Sequence, residues 1–213
     1  MNCDPIARWY RLFEYLAFGR ALENRRLEYL DQAACAGRVL ILGDGDGRFT
    51  AALLKRNPNT PLDSIDISAG MLARAQQRLR ALRIDASNLC YWKADARVIN
   101  LAGNYDVIVT HFFLDCFTTD ELQRLIPRIA SHCSPHAKWL VSEFTLPGPW
   151  LRQQAARALI RFMYFFFHIA TGLTVTQLPD YRGVMAKNGF HITRSHSALG
   201  GLLISELWEF YGS

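Results

Sequence analysis

The stretch Val39-Leu40-Ile41-Leu42-Gly43-Asp44-Gly45-Asp46-Gly47-Arg48-Phe49 constrains this chain more than any other. An apolar, β-branched run drops into three alternating glycines, and the sequence then turns helical from Thr50 to Lys55. A buried strand, a tight glycine turn and a helix start together make a site for a nucleotide-like ligand. Glycine lets the backbone come close to such a ligand, and the first helical N–H groups point toward it. The spacing is diagnostic. Gly43, Gly45 and Gly47 read G-x-G-x-G, whereas a dinucleotide fingerprint needs its third glycine one place later, where Arg48 stands. The loop therefore argues against NAD and for another adenosine ligand.

The next signals fall at the ends of further strands. Leu62-Asp63-Ser64-Ile65-Asp66-Ile67-Ser68 places Asp66 where an acid accepting ribose hydroxyls belongs, about 20 residues past the glycine loop. Ser68 stands before a helical run from Ala69 to Leu82 and can cap it. A third strand, Leu89 to Lys93, leads to Ala94-Asp95-Ala96. A fourth, Tyr105 to Thr110, leads to His111-Phe112-Phe113-Leu114-Asp115. Each polar group of interest sits at a strand's C-terminal end, where open α/β sheets bind ligands.

This order of motifs resembles the class I S-adenosylmethionine-dependent methyltransferases, closely from Val39 to Phe144 and loosely elsewhere. The residues that carry it are Gly43 to Gly47, Asp66-Ile67-Ser68 with Met71, Ala94-Asp95-Ala96 and Tyr105-Asp106-Val107-Ile108. The resemblance implies S-adenosyl-L-methionine as cofactor. Gly43, Asp44, Gly45 and Gly47 would receive its methionine part, and Asp66, with Ile67, Ser68 and Met71 beside it, would bind the ribose. Asp95 and Ala96 would face the adenine. The family often carries an acid at or near the position of Leu42; here Asp44 and Asp46 lie inside the loop instead.

The chain of 213 residues is half hydrophobic, enough for one sizeable core and one domain spanning residues 1–213. Within it we distinguish an N-terminal helical flank (1–34), a cofactor-binding core (35–145), a helical cap (146–182) and C-terminal strands (183–213). Arginines dispersed along helices, such as Arg74, Arg78, Arg80 and Arg83, supply much of the net charge of +5. Solvation of the surface explains most of that, while an acidic substrate or an anionic membrane surface stays open. With no recognition module of interleaved basic and aromatic residues, nucleic acid is disfavoured as a partner. Five cysteines, odd in number and without a C-x-x-C pair, read as free thiols with no metal site. The N-terminus lacks a basic segment followed by an apolar secretion core, which predicts a cytoplasmic protein.

In the flank, Ile6, Trp9, Tyr10, Phe13, Leu16 and Ala17 recur at helical intervals, and Leu22, Leu27 and Leu30 continue the pattern. One or two helices are expected, and the resemblance makes Tyr10 and Tyr15 pocket candidates. In the core, Thr118 to Ala130 reads as a helix that Pro127 should end or kink, and Trp139 to Phe144 as a fifth strand. Beyond Pro147-Gly148-Pro149, a helix from Trp150 to Ala170 is apolar on nearly every face at Arg161-Phe162-Met163-Tyr164-Phe165-Phe166-Phe167-His168. It is too short and too interrupted to span a membrane. It can be a buried core helix, a lid over a greasy pocket or a face that meets lipid, with contact at the inner membrane surface as one outcome. Similarity to ubiquinone and menaquinone C-methyltransferases, weaker, covers this aromatic stretch. The last strands are expected at His191–Ser197 and Gly201–Trp208, antiparallel at the sheet edge.

The expected fold is therefore α/β, a Rossmann-like seven-stranded, mostly parallel sheet with helices on both faces and the last strand antiparallel. The expected function is methyl transfer to the oxygen or carbon of a hydrophobic small molecule. His111 and Asp115 are candidate catalytic residues: His111 because its unperturbed pKa is about 6.5, Asp115 because it could orient His111 or bind a substrate hydroxyl. His111 can equally be a cofactor contact. Phe112, Tyr164 and His168 join Tyr10 and Tyr15 as substrate candidates. The alternatives are a non-catalytic binding module of the same fold and an NAD-dependent oxidoreductase.

Overall fold

The computed structural model describes residues 19–212 apart from 149, 173 and 174; Tyr10 and Tyr15 lie outside the described residues. Two short helices, α1 (Ala21–Leu27) and α2 (Leu30–Ala34), lead into β1 (Val39–Leu42). The elements α3 (Arg48–Arg56), β2 (Leu62–Asp66), α4 (Ala69–Ala81) and β3 (Leu89–Lys93) follow. Then come β4 (Tyr105–His111), a 3-10 turn (Leu114–Cys116), α5 (Thr119–Ala130) and β5 (Cys133–Phe144). The chain closes with α6 (Trp150–Thr171), α7 (Tyr181–Lys187), β6 (Phe190–Ala198) and β7 (Leu203–Phe210). No described helix is long and apolar enough to cross a membrane.

The strands form one sheet in the order β3-β2-β1-β4-β5-β7-β6, parallel from β3 to β5, with β7 antiparallel to both its neighbours. The last strand is thus inserted between β5 and β6, and β6 forms the edge. All four residues of β1 are buried because the strand is covered on both faces. Leu40 and Leu42 join Ile108, Leu122, Ile126 and Trp139 on one side, while Val39 and Ile41 join Phe49, Leu53, Val107 and Leu140 on the other. The strand order turns back between β1 and β4, so their C-terminal ends open the crevice in which such sheets take ligands.

Two elements depart from expectation. α5 runs three residues beyond Pro127 to Ala130, since a proline so near the end forfeits a single helical bond. β5 begins at Cys133 because the Pro135-His136 stretch is absorbed as a bulge. Tyr105 pairs with Cys133 but Val107 with Lys138, and His136 takes a φ of +60°.

The start of α5 is a complete capping box. The Thr118 hydroxyl accepts the Glu121 N–H, and the Glu121 carboxylate accepts the Thr118 N–H at 2.9 Å. Thr118→Ala is expected to cost about 1 kcal/mol. Thermal unfolding should show the midpoint lowered by about 3 °C.

Candidate active site

The glycine loop lies at the crevice. Gly43, Gly45 and Gly47 all adopt positive φ, and two are also held by close neighbours. A Cβ on Gly43 would lie 2.3 Å from the Phe113 ring, and one on Gly47 would lie 2.6 Å from the Ala75 Cβ of α4. At Gly45 nothing stands within 4 Å, so this part of the loop faces open space.

The loop's acids are tied into the fold. Asp44 accepts the Phe49 N–H at 3.3 Å and the Thr50 N–H at 3.0 Å, capping α3, whose N-cap Gly47 has no side chain. Two of the helix-start donors are therefore already engaged. Burial pushes the Asp44 carboxyl up to about 6. Asp46 is bridged by Arg48 and by Arg78 of α4, whose Nε donates to the Asp46 carbonyl at 2.8 Å.

Asp66 ends β2, with one oxygen accepting the Ser68 N–H at 2.8 Å. Ser68 is buried and caps α4 by accepting the Met71 N–H at 3.1 Å, and Met71 is buried. Ile67 is exposed beside Asp66. At the end of β3, Asp95 is held by Arg97, which also bonds Glu121 at 3.0 Å, and this pairing keeps Asp95 below the usual carboxylate range. Ala96 is buried in the adjoining core. Asp66 and Asp95 thus stand at the ends of adjacent strands, alongside the glycine loop on β1.

The exit of β4 sets its two catalytic candidates in separate surroundings, which the sequence did not foretell. His111 packs edge-to-face on Phe49, with ring centroids 4.9 Å apart. Burial, reinforced by the positive charge of Arg26, pushes its pKa down to about 3. The imidazole is neutral at physiological pH and a poor proton acceptor, contrary to the expectation from its ordinary value. Phe112 takes a φ of +53°, its ring lying 5.2 Å from Phe144 and under the Arg26 guanidinium at 5.1 Å.

Asp115 does not orient His111. It sits in the 3-10 turn with a carboxyl that desolvation pushes up to about 6, and its charge acts on Glu143. Glu143, at the end of β5, is buried, and its Oε1 accepts the Phe113 N–H at 3.0 Å and the Leu114 N–H at 2.7 Å. Its Oε2 is buried without a partner among the described residues. Burial, and then the Asp115 charge, raise Glu143 well above the ordinary carboxyl value. Tyr164 of α6 closes the group, its hydroxyl donating to the Asp115 carbonyl at 3.2 Å. Sequence reasoning missed Glu143 and Arg26. An acid in the otherwise apolar run Trp139 to Phe144 was the available signal for the first; nothing in the α1 sequence singled out the second.

His168 is exposed, unlike Tyr164 one turn earlier on the same helix. A cleft of about 220 Å³ opens where β5 ends, lined in part by Phe144, Leu146, Leu178, Pro179 and Tyr181. Phe144 thus borders both this cleft and Phe112.

A raised carboxyl pKa makes a definite prediction for stability. The folded state holds the Asp115 proton more tightly than the unfolded chain does. Its contribution is therefore complete below about pH 4 and lost as the pH rises through about 6. Asp115→Asn should be more stable than wild type at pH 8 by about 1–2 kcal/mol, with the gap closing at pH 4. Denaturant unfolding of both proteins at the two pH values checks this.

The sheet order, with the glycine loop at its switch point and acids on the next two strand ends, is the Rossmann-like fold that class I S-adenosylmethionine-dependent methyltransferases share. Residues 40–138 match the family model described as a methyltransferase domain. Over 57 residues the chain is 42% identical to trans-aconitate 2-methyltransferase of Sinorhizobium fredii, covering 27% of this chain and 22% of that one. Over 164 residues it is 24% identical to malonyl-[acyl-carrier protein] O-methyltransferase of a Paenibacillus species, covering 72% and 55% respectively. The matches thus span from under a quarter to about half of these curated relatives' length. Magnesium protoporphyrin IX methyltransferase from Synechocystis PCC 6803, crystallised with bound SAH, shares the fold. Its TM-score is 0.65 at 18% identity, over 95% of this chain and 87% of that one.

Proposed function

We propose that this chain, acting as a single domain, transfers a methyl group from S-adenosylmethionine to the oxygen or carbon of a hydrophobic small-molecule acceptor. One observation carries the reading. The β4 exit loop presses its Phe113 ring against Gly43, so the cofactor loop and the candidate acceptor residues share one crevice. The glycine cradle fits the cofactor: Gly45 faces open space, and Asp66 stands at the next strand end. Gly43, Gly45 and Gly47 would hold the methionine part and Asp66 the ribose. Asp95 with Ala96 would border the adenine. Arg26, the cation whose charge reaches both Asp44 and His111, is placed to meet the methionine carboxylate.

When bound, the sulfonium supplies an activated methyl group, which leaves the protein to position, desolvate and manage a proton. Phe112, Phe144 and Tyr164 supply the apolar wall. An acceptor hydroxyl would pass its proton to Asp115, whose pKa of about 6 lies nearer to working pH than the value of about 3 at His111. Glu143 holds the loop in place behind it. The reading takes no nucleic acid as partner and places the chain in the cytoplasm, with contact at the inner membrane surface.

Incubation with S-adenosylmethionine and a panel of quinones, phenols and lipids tests this. The expected result is acceptor-dependent SAH formation, reduced about a hundredfold in Asp115→Asn if the acceptor is a hydroxyl. Cofactor binding without turnover on any acceptor would favour a non-catalytic module. Binding of NAD instead would favour an oxidoreductase.

A further inference from the structure

α6 has two faces of opposite character. Ala156, Ile160 and Tyr164, at successive i+4 steps, are buried against the body of the protein. On the other side Ala158, Phe162, Phe165 and Ile169 follow one another at steps of four, three and four, and all are exposed. Phe162 is 67% exposed, Phe165 63% and Ile169 70%, with Trp150 at the helix start 67% exposed. A soluble surface does not leave four large apolar side chains along one helix uncovered without a partner.

The charge pattern selects that partner. From residue 144 to residue 179 the sequence contains no aspartate or glutamate, while Arg152, Arg157 and Arg161 all lie on α6. All three are exposed, and no carboxylate pairs with them among the described residues. Aromatic side chains flanked by arginines of one sign match the acyl boundary and headgroups of an anionic bilayer. A second copy fits less well: a two-fold pairing through this face would set the Arg157 and Arg161 rows of both copies near one another with no acid to offset them.

We propose that the outward face of α6 docks on an anionic lipid surface, with Phe162, Phe165 and Ile169 entering the headgroup boundary and Arg157 and Arg161 meeting lipid phosphates. This deepens the reading above, since Tyr164 on the inner face of the same helix touches Asp115. A lipid-soluble acceptor would then travel about one helix diameter, roughly 10 Å, from bilayer to site. Docking itself does not depend on catalysis and is measured without it.

The test is co-sedimentation of the full chain with vesicles of phosphatidylcholine alone or mixed with phosphatidylglycerol. Wild type should pellet with the mixed vesicles, retain little on the neutral ones and be released by high salt. Arg157→Gln/Arg161→Gln should lower the partition coefficient about 25-fold, near fivefold per charge. Phe162→Ser/Phe165→Ser should lose binding to both vesicle types, while SAH binding by calorimetry stays unchanged in both variants. Wild type that ignores anionic vesicles, or variants that bind them as wild type does, would overturn the proposal. So would sedimentation equilibrium showing a dimer that Phe162→Ser/Phe165→Ser disperses. Loss of methyl transfer with lipid binding intact would count against the enzymatic reading alone.

Discussion

Gly47→Ala is expected to lose cofactor binding and to lower the unfolding midpoint by about 10 °C. Two costs add. At φ +78° an alanine is strained, and its Cβ would lie 2.6 Å from the Ala75 Cβ and 2.8 Å from the Ala75 Cα. The second contact is with backbone in the middle of α4, which cannot turn aside as a side chain does. Strain and overpacking together come to about 3 kcal/mol, or about 10 °C for a domain of this size. Relief requires the loop or α4 to move, and α4 also holds Asp46 through Arg78. The loop would then lose its shape toward the crevice. Thermal unfolding and calorimetry with SAH measure both effects; wild-type affinity in Gly47→Ala would mean that the loop does not form the cofactor site.

Glu143→Ala is the second large effect. It strands the Phe113 and Leu114 N–H groups, each now satisfied by Oε1 in a buried setting, at a cost of about 3 kcal/mol. The 3-10 turn carrying Asp115 loses its anchor, and a displacement of this kind costs about a hundredfold in turnover. Glu143→Gln is the informative companion. The amide keeps an acceptor oxygen for the Phe113 and Leu114 N–H groups at nearly the same shape. Stability and turnover should then stay within a few-fold of wild type. Equal losses in both variants would mean that the charge of Glu143, rather than its anchoring oxygen, is what matters.

What the sequence disclosed and what it concealed divide along physical lines. Local signals were legible. The apolar run into Gly43, Gly45 and Gly47 marked a strand and turn, and Ser68 announced a helix cap that the structure realises through Met71. For the helix up to Ala130 the sequence left Thr118 and Thr119 both open, and the structure takes Thr118 with Glu121. Successive βα units fixed the parallel order from β3 to β5. Features set by register between distant strands were hidden. His111 and Asp115 looked like partners because they are close in sequence, yet strand pairing sets β5 beside β4 and brings Glu143 to the loop instead. The burial that depresses His111 comes from Phe49 and its surroundings, which composition cannot reveal. Asp44 and Asp46 looked available, but α3 and α4 claim them. His168 follows Tyr164 by one turn on the same face of α6, yet it is exposed where Tyr164 is buried, a difference that helical periodicity alone does not disclose.

The central claim is that the crevice beside Gly43 to Gly47 binds S-adenosylmethionine, and calorimetric titration with the cofactor and with SAH tests it most directly, beside Asp66→Ala. Wild type should bind at least one of them with micromolar affinity. The variant should bind about a hundredfold more weakly, as expected when a charged acceptor of ribose hydroxyls is removed. No heat of binding in the wild type, or equal affinity in Asp66→Ala, would contradict the account.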